Sequence, residues 1–421
     1  TLFEGVVECL LPRGEGLVRH DNRSCLVANA IPGDTITYTL SDKRRGVWRG
    51  RLEEVLHSAP ERVNAACSVA DRCGGCAFQF LKPEIHADVK STWIRDAFNP
   101  FIEPRTTWHG VESMDSIPRR RARWWRGIDE QGVYLGFRAR GSHAVIRQPQ
   151  CMVVHPEMNL VCRSIEALLP EPIRSVQITR LPDGMHLVLE GERDIAPDLS
   201  PEMYRVVAEQ LPDTPIQWWW RSPNTISPLE WPVKRMHDIL PCGEDSIRLM
   251  IGPDDFIQGC EEGNAIMVRQ VRQWAGDARR VVDLFSGAGN LSLPLASRHR
   301  HIAVIGADVD PVSIRHANMN AERLGANARY MQSDLFGSFD EETFSGADLI
   351  VLDPPRKGAR KVCSRMTSLL PARIIMINCD VAAGARDAGI LQKAGYRLRA
   401  LRGVDLFPYT GHVETMSLWT R

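Results

Sequence analysis

The chain has 421 residues, 43% of them hydrophobic, which is enough for two or three domains with separate cores and excludes a generally disordered chain. Lys and Arg number 52 and so do Asp and Glu, a balance that excludes a histone or ribosomal-tail composition but leaves room for local basic patches. In chain order, residues 1–57 read as five short β-rich stretches, among them Val6-Val7-Glu8, Gly16-Leu17-Val18, Cys25-Leu26-Val27 and Thr35 to Thr39. Turn signals at Gly14, Asp21-Asn22 and Pro32-Gly33-Asp34 separate them, a pattern that predicts a small barrel of the OB type. Residues 58–81 show little periodicity and carry Cys67, Cys73 and Cys76. A helix is expected over Pro83–Phe98. Residues 105–250 read as mixed α/β, with a hairpin from Val176 to Glu190 turning at Asp183-Gly184. From about residue 251, strands (280–285, 302–307, 348–352, 373–378) alternate with helices (from Asn290, 311–324, 382–394), and His412 to Thr420 forms a final strand. Alternation of this kind predicts a doubly wound, mostly parallel sheet. The domain reading is therefore a barrel at 1–57, a central α+β domain at 58–250 and an α/β domain at 251–421.

The longest apolar runs, such as Asp348 to Leu352 and Ile374 to Ile377, are too short to span a bilayer, and the N-terminus does not read as a signal peptide. Eleven cysteines without a disulfide rhythm point to a reducing, cytoplasmic setting.

The turn Asp283 to Leu291 joins a strand to a helical run, with Gly287 and Gly289 letting the backbone approach a ligand. The third glycine of a dinucleotide fingerprint would fall at Ser292 and is absent. Acids close successive strands instead: Asp283, then Asp308 to hold ribose hydroxyls, then Asp334 to meet an adenine. That spacing suits S-adenosylmethionine, which has no pyrophosphate. Beyond the strand ends lie Asp353-Pro354-Pro355-Arg356 and Cys379. Methyltransferases acting on the adenine amino group place an aromatic residue after the two prolines, and Arg356 argues against that chemistry. A cysteine at position 379 suits carbon methylation. Carbon 5 of a pyrimidine is a weak nucleophile until a thiolate adds to carbon 6, after which a base must remove the carbon-5 proton. Glu414, in His412-Val413-Glu414, is the candidate base. A pKa near ~8.5 for free cysteine calls for thiolate stabilisation at Cys379, expected from the adjacent helix N-terminus.

These residues, with Cys67-x5-Cys73-Gly74-Gly75-Cys76, Phe256-Ile257-Gln258, Ala385-Arg386-Asp387 and Asp405-Leu406-Phe407-Pro408, resemble the RNA uracil-5 methyltransferase family, in particular the 23S ribosomal RNA type with an N-terminal TRAM domain and an iron–sulfur cluster. The resemblance runs through nearly the whole chain. It implies Cys379 as nucleophile, Glu414 as base, and Gln258, Phe285, Asn290, Asp308, Asp334 and Asp353 around the cofactor and target base. It also implies a monomer with RNA, most of all 23S rRNA, as partner and no membrane association. Transfer RNA is the alternative substrate, and a non-catalytic RNA-binding protein the alternative of another class. A cytosine-5 methyltransferase would place Pro or Thr before the nucleophile, where this chain has Asn378. The chain departs from the family pattern at Cys260, Asp380-Val381, Asp308 and Tyr409.

Cys67, Cys73, Cys76 and Cys151 supply four thiolates in a three-plus-one arrangement, which fits a [4Fe-4S] cluster or structural zinc. The spacing favours the cluster, and the resemblance implies it. Cys9, Cys25, Cys162, Cys242, Cys260 and Cys363 are expected in packing. Between Ser116 and Gln150, eight arginines (119, 120, 121, 123, 126, 138, 140 and 147) face two acids, Asp129 and Glu130, with Trp124 and Trp125 among them. Arginines interleaved with aromatics suit phosphate contact and base stacking, so this stretch is expected to bind RNA. Lys43-Arg44-Arg45 with Arg49, and Arg356 to Lys361, form two further basic patches. Trp218-Trp219-Trp220 is expected to be a strand with two faces rather than a stacking ladder.

Overall fold

The computed structural model describes every residue except 21–22, 45, 115–118, 149, 298–300 and 338, together with the side chain of Arg44. The expected turn at Asp21-Asn22, Arg45 of the barrel patch, and Ser116 and Pro149 at the ends of the arginine-rich stretch lie outside the described residues.

Alternating apolar residues in the first sixty positions close into a barrel. Its strands are β1 (Leu2–Leu11), β2 (Glu15–His20), β3 (Arg23–Ala28), β4 (Thr35–Arg44) and β5 (Val47–His57), in the order β1-β2-β3-β5-β4. Val7, Val18, Val27, Ile36 and Tyr38 fill it. Asp34, fully buried, ties the barrel to residues 59–62: its carboxylate accepts from the backbone N–H of Ala59 at 3.0 Å and from Arg62 at 2.7 Å.

The helix expected at 83–98 is a 3-10 turn followed by α1 (His86–Phe98). The strand after it, β6 (Thr107–Ser113), pairs in parallel with a strand some 290 positions later rather than with its sequence neighbours. A seven-stranded sheet comes next. Its strands are β7 (Arg121–Asp129), β8 (Gly132–Arg138), β9 (Val145–Arg147), β10 (Ile173–Leu181), β11 (Gly184–Gly191), β12 (Ile216–Arg221) and β13 (Ile226–Pro228), ordered β13-β12-β11-β10-β7-β8-β9. The expected hairpin is β10–β11, with Leu181 opposite Gly184. Helices α2 (Pro156–Ile165) and α3 (Pro201–Gln210) pack on one face against Trp124, Trp218 and Trp220. Trp219 points the other way and donates to His186 at 3.0 Å, so the tryptophan run is a two-faced strand.

The hairpin β14 (Met236–Cys242) and β15 (Asp245–Ile251) leads into α4 (Glu261–Ala275) and the α/β domain. Its elements are β16 (Arg280–Leu284), α5 (Leu293–Ala296), β17 (Ala303–Asp308), α6 (Pro311–Leu324), β18 (Ala328–Gln332), α7 (Glu341–Phe344), β19 (Leu349–Leu352), α8 (Arg360–Ser364), α9 (Met366–Leu369), β20 (Arg373–Asn378), α10 (Val381–Lys393), β21 (Arg397–Asp405) and β22 (Glu414–Thr420). The sheet order is β18-β17-β16-β19-β20-β22-β21-β6, with β22 antiparallel to both neighbours and the strands from β18 to β20 parallel. Consecutive residues point to opposite faces, and both faces are covered. Val281, Val351 and Ile375 meet Val268 and Val271 of α4, while Val282, Ile350 and Ile374 meet Ile94 and Phe98 of α1. The helix from 311 follows local rules: Asp310 caps it by accepting from Val312 and Ser313 N–H, Pro311 opens it, and Gly325 ends it in the left-handed region. Among the described residues no helix is long and apolar enough to cross a membrane.

Candidate active site

The parallel strands β16, β19 and β20 end at one edge of the sheet, and the candidate residues gather there. After β16 the chain turns sharply. Phe285 adopts φ 68°, unusual for a residue with a side chain, and Gly287 and Gly289 follow at φ 51° and 89°. Leu293 lies 2.5 Å from where a Cβ on Gly289 would stand, and with φ at 89° any side chain here would be strained. The turn is held from β17: the Asp308 carboxylate accepts from Gly287 N–H at 2.9 Å and from Asp310 N–H at 3.0 Å.

A pocket opens against this turn, lined by Phe256, Gln258, Phe285, Asn290, Asp283 and Asp353 among others. Gln258 donates to Asp353 at 3.0 Å, and Asn290 exchanges two hydrogen bonds with Asn264 at 2.8 and 2.9 Å. Phe256 stands 66% exposed at the rim. Asp308 and Asp334 are not part of the lining. Asp308 acts on the turn from behind, and Asp334 accepts from Phe336 N–H at 3.0 Å in the loop after β18.

The electrostatics of the pocket are unusual. Burial, with the added repulsion of Asp308, pushes the Asp283 carboxyl up to about 7, although Ser292 donates to it. Burial and Asp283 push Asp353 up to about 7, and burial and Asp353 push Glu414 up to about 8. One Asp283 oxygen is buried with no hydrogen-bond partner. A cation beside these acids would relieve their mutual repulsion and give the orphaned Asp283 oxygen a partner. The sulfonium and ammonium groups of S-adenosylmethionine answer that description, so the residues present fit this cofactor.

Strand register places the two candidate catalytic groups. Asn378 pairs with Thr415 across β20 and β22, and Cys379 and Glu414 are the next residues in the chain on either side of that pair. Their proximity appears in the thiol itself. Burial, then Glu414 and Asp353, push Cys379 up to about 12, and Arg356 only partly offsets them. This overturns the expectation of a thiolate favoured by the helix N-terminus. The N-terminus of α10 is already occupied, because the Asp380 side chain caps it by accepting from Ala383 N–H at 2.8 Å. The other departures have local explanations as well. Cys260 is the buried N-cap position of α4, and Tyr409, at φ 65°, presents its carbonyl to the N–H groups of Ala77 and Phe78 at 2.8 and 2.9 Å.

Three arginines read as an RNA-binding face are structural. Arg120 is buried, forms a bidentate pair with Asp238 at 2.6 and 2.8 Å and donates to the Gln258 carbonyl at 2.8 Å. Arg121 donates to Thr179 and to the carbonyls of Asp255 and Pro253. Arg119 stacks 4.6 Å from the Phe407 ring centroid. Arg120 and Arg121, at the entry to β7, satisfy the carbonyls of Pro253, Asp255 and Gln258. Of the remaining arginines, Arg147 pairs with Asp129 and Arg138 lies 3.6 Å from the Trp125 centroid, while Trp124 is core. In the barrel patch, Lys43 lies over Trp48 and Arg49 pairs with Glu15. The patch beside the site differs: Arg356, Lys357, Arg360 and Lys361 are all exposed. Arg356 reaches the His412 ring at 3.3 Å, and Lys357 sits 3.4 Å from the Phe336 centroid.

Cys67, Cys73, Cys76 and Cys151 are unpaired and part-buried, and they lie within electrostatic reach of one another. Among the described residues no group of three or more His, Cys, Asp or Glu stands in metal-ligating geometry. Of the six cysteines expected in packing, Cys9 is exposed because a bulge between Val7 and Cys9 shifts the inward face of β1 to Leu10, and the other five are buried.

Sequence reasoning missed several contacts. Phe336 packs on Phe285 at 5.4 Å, which bears on the cofactor turn. Asp255 anchors the 252–258 segment to α6 through Ser313 at 2.7 Å and His316 at 2.5 Å. Their partners lie about sixty positions apart, so no local pattern signals them.

Comparison with known proteins gives the lineage. A family model described as the methyltransferase small domain matches residues 257–371. The chain is 31% identical, over its whole length and 96% of the relative, to a protein of Alkalilimnicola ehrlichii named 23S rRNA (uracil(1939)-C(5))-methyltransferase RlmD. The chain belongs to the 23S rRNA uracil-C5 methyltransferase family. A protein of the same name from Pseudomonas aeruginosa matches this methyltransferase at 30% identity over 98% of the chain and 93% of its own length. Among solved structures, a Pyrococcus abyssi tRNA (uracil-54, C5)-methyltransferase in complex with S-adenosyl-L-homocysteine covers 99% of the chain and 100% of its own. Its TM-score is 0.75 at 20% identity, a likeness of fold.

Proposed function

We propose that this methyltransferase transfers a methyl group from S-adenosylmethionine to carbon 5 of a uridine in RNA, with 23S rRNA as the substrate its relatives' names indicate. The observation that carries the reading is Cys379 and Glu414 within electrostatic reach of each other just past the Asn378–Thr415 pair, with the acid-lined pocket's Asp353 also acting on the thiol. S-adenosylmethionine supplies an electrophilic methyl group on a cationic sulfur. Cys379 would release its proton to solvent water and add as the thiolate to carbon 6 of the uracil, and the resulting enolate would take the methyl group at carbon 5 as the S–CH3 bond breaks and the cofactor leaves as S-adenosylhomocysteine. Glu414 then removes the carbon-5 proton, and the thiolate leaves as the 5,6 double bond re-forms. Gln258 fixes the Asp353 carboxyl, and Asn264 fixes the Asn290 amide, so the pocket wall is set before ligands arrive. The target base must leave its stack to reach a half-buried thiol. Arg356, Lys357 and Arg360 are suited to its phosphates.

The test is methyl transfer to unmodified 23S rRNA followed by nucleoside analysis. 5-Methyluridine is expected, and its absence from rRNA but presence in tRNA would move the reading to the tRNA branch. For the cofactor, Asp308→Ala frees the Gly287 N–H and should weaken S-adenosylmethionine binding by about 1.5–3 kcal/mol in calorimetry. Unchanged affinity would show that the cofactor turn keeps its binding shape without the Asp308 carboxylate.

The four cysteines are proposed as ligands of a [4Fe-4S] cluster. Support comes from the donor set itself: three thiols in one loop, a fourth within reach, and no disulfide between them. Protein purified without oxygen should be brown, with iron and sulfide near ~4 each per chain. Colourless protein with stoichiometric zinc would overturn this. The barrel at 1–57 is assigned to the TRAM type on the same resemblance.

A further inference from the structure

Lys90 stands at the centre of contacts that the chemistry above does not use. Its ammonium is fully buried on α1, 2.6 Å from a carboxylate oxygen of Asp405, which is also fully buried. The same ammonium donates to the Phe407 carbonyl at 3.3 Å and lies 5.5 Å from the Phe78 ring centroid. Asp405 closes β21, and the oxygen that faces Lys90 also accepts from Phe407 N–H at 3.2 Å. Two residues further on, the Tyr409 carbonyl is held by Ala77 and Phe78, directly after Cys76. Thr410 then donates to the Phe407 carbonyl at 2.8 Å.

Segment 405–410 is thus gripped from outside its own sheet, and it runs straight into β22, whose first residue is Glu414. The register is closed at that point, because Val404 pairs with Glu414. The two ends of the loop therefore bracket the carboxyl. A buried ion pair is a poor way merely to stabilise a loop, since desolvation consumes most of its attraction and an apolar pair of like volume would serve as well. What it adds is direction: an ammonium with fixed acceptors holds the backbone of 405–407 in one place.

We propose that Lys90 is a positioning residue for Glu414, setting the carboxyl through Asp405 and the Phe407 carbonyl and so tying the proton-removal step to α1 and the cysteine segment. The proposal rests on Glu414 as the base. Cys379 follows β20 and the cofactor turn follows β16, whereas the contacts of Lys90 run to 405–407 and Phe78. Loss of Lys90 should therefore slow elimination more than attack or cofactor binding.

The experiment uses the full chain with Lys90→Met, the charge-free pair Lys90→Met/Asp405→Leu, and Lys90→Arg. Wild type and Glu414→Gln run in parallel. Turnover, S-adenosylmethionine affinity and the fraction of RNA–protein adduct surviving denaturing gels are measured together. Lys90→Met should lower kcat by about a hundredfold, the order that a 1 Å misplacement costs, and should accumulate adduct while cofactor affinity holds. Lys90→Arg should recover part of the rate. Adduct in Glu414→Gln without adduct in Lys90→Met overturns the proposal alone. So does a parallel fall in cofactor affinity, unchanged turnover, or failure of both neutral variants to fold, each of which makes the pair purely structural. No adduct even in Glu414→Gln removes the assigned base, and this proposal with it.

Discussion

Cys379→Ala should abolish methylation while leaving S-adenosylmethionine binding intact, and Glu414→Gln should instead arrest the enzyme after methyl transfer. The two outcomes differ because the residues act at opposite ends of one adduct. Without the thiol no bond to carbon 6 forms, and RNA carrying 5-fluorouridine should give no covalent complex. Without the carboxylate, attack and methyl transfer still proceed, but the carbon-5 proton stays and the thiol cannot leave. Turnover should fall by about 10²–10⁴-fold, the usual worth of a positioned base, and an adduct through Cys379 should survive denaturing gels. Asp353→Asn is the control: it should impair the pocket without trapping adduct. The pH profile adds a second reading. Glu414 must be ionised to accept a proton, and burial holds it up to about 8. Below that pH its ionised fraction falls about tenfold per unit, so kcat should climb with pH toward 8. The positive charge of bound cofactor would move this limb to lower pH. Normal turnover by Glu414→Gln, or methylation by Cys379→Ala, would falsify the mechanism.

Arg120→Met should destabilise the protein by about 3–5 kcal/mol, because removing one partner of a buried pair leaves Asp238 charged and unpaired. The loss should also reach the active site. Arg120 donates to the Gln258 carbonyl, and Gln258 in turn holds Asp353. Urea unfolding should show the midpoint falling, and cofactor affinity should drop with it. The double variant Arg120→Met/Asp238→Leu should recover much of the stability, since it removes both charges. If Arg120→Met leaves stability unchanged but lowers the salt dependence of RNA binding, the residue faces RNA after all.

The sequence by itself determined the parts of this protein that obey local rules. The barrel strands alternate in and out, Asp310 and Gly325 mark both ends of α6, and the 283–290 turn announces itself through its glycines and acids. The full-length likeness to the 23S enzymes bears out the family that those motifs suggested. The tertiary structure decided the rest, since the deciding partners are remote in the chain. Thr107 to Ser113 looks like any strand of the central segment, yet it finds its edge beside β21. Eight arginines among tryptophans resemble an RNA face until Asp238, Thr179 and the carbonyls of 253–258 are seen to claim two of them and the Phe407 ring a third. Asp380 caps its helix by the same local rule as Asp310, but nothing around position 379 reveals that burial, with Glu414 and Asp353, raises the thiol rather than lowers it. Charge and burial are sums over neighbours, and neighbours across strands, such as Lys90 and Asp405 at 315 positions' separation, exist only once the chain has folded.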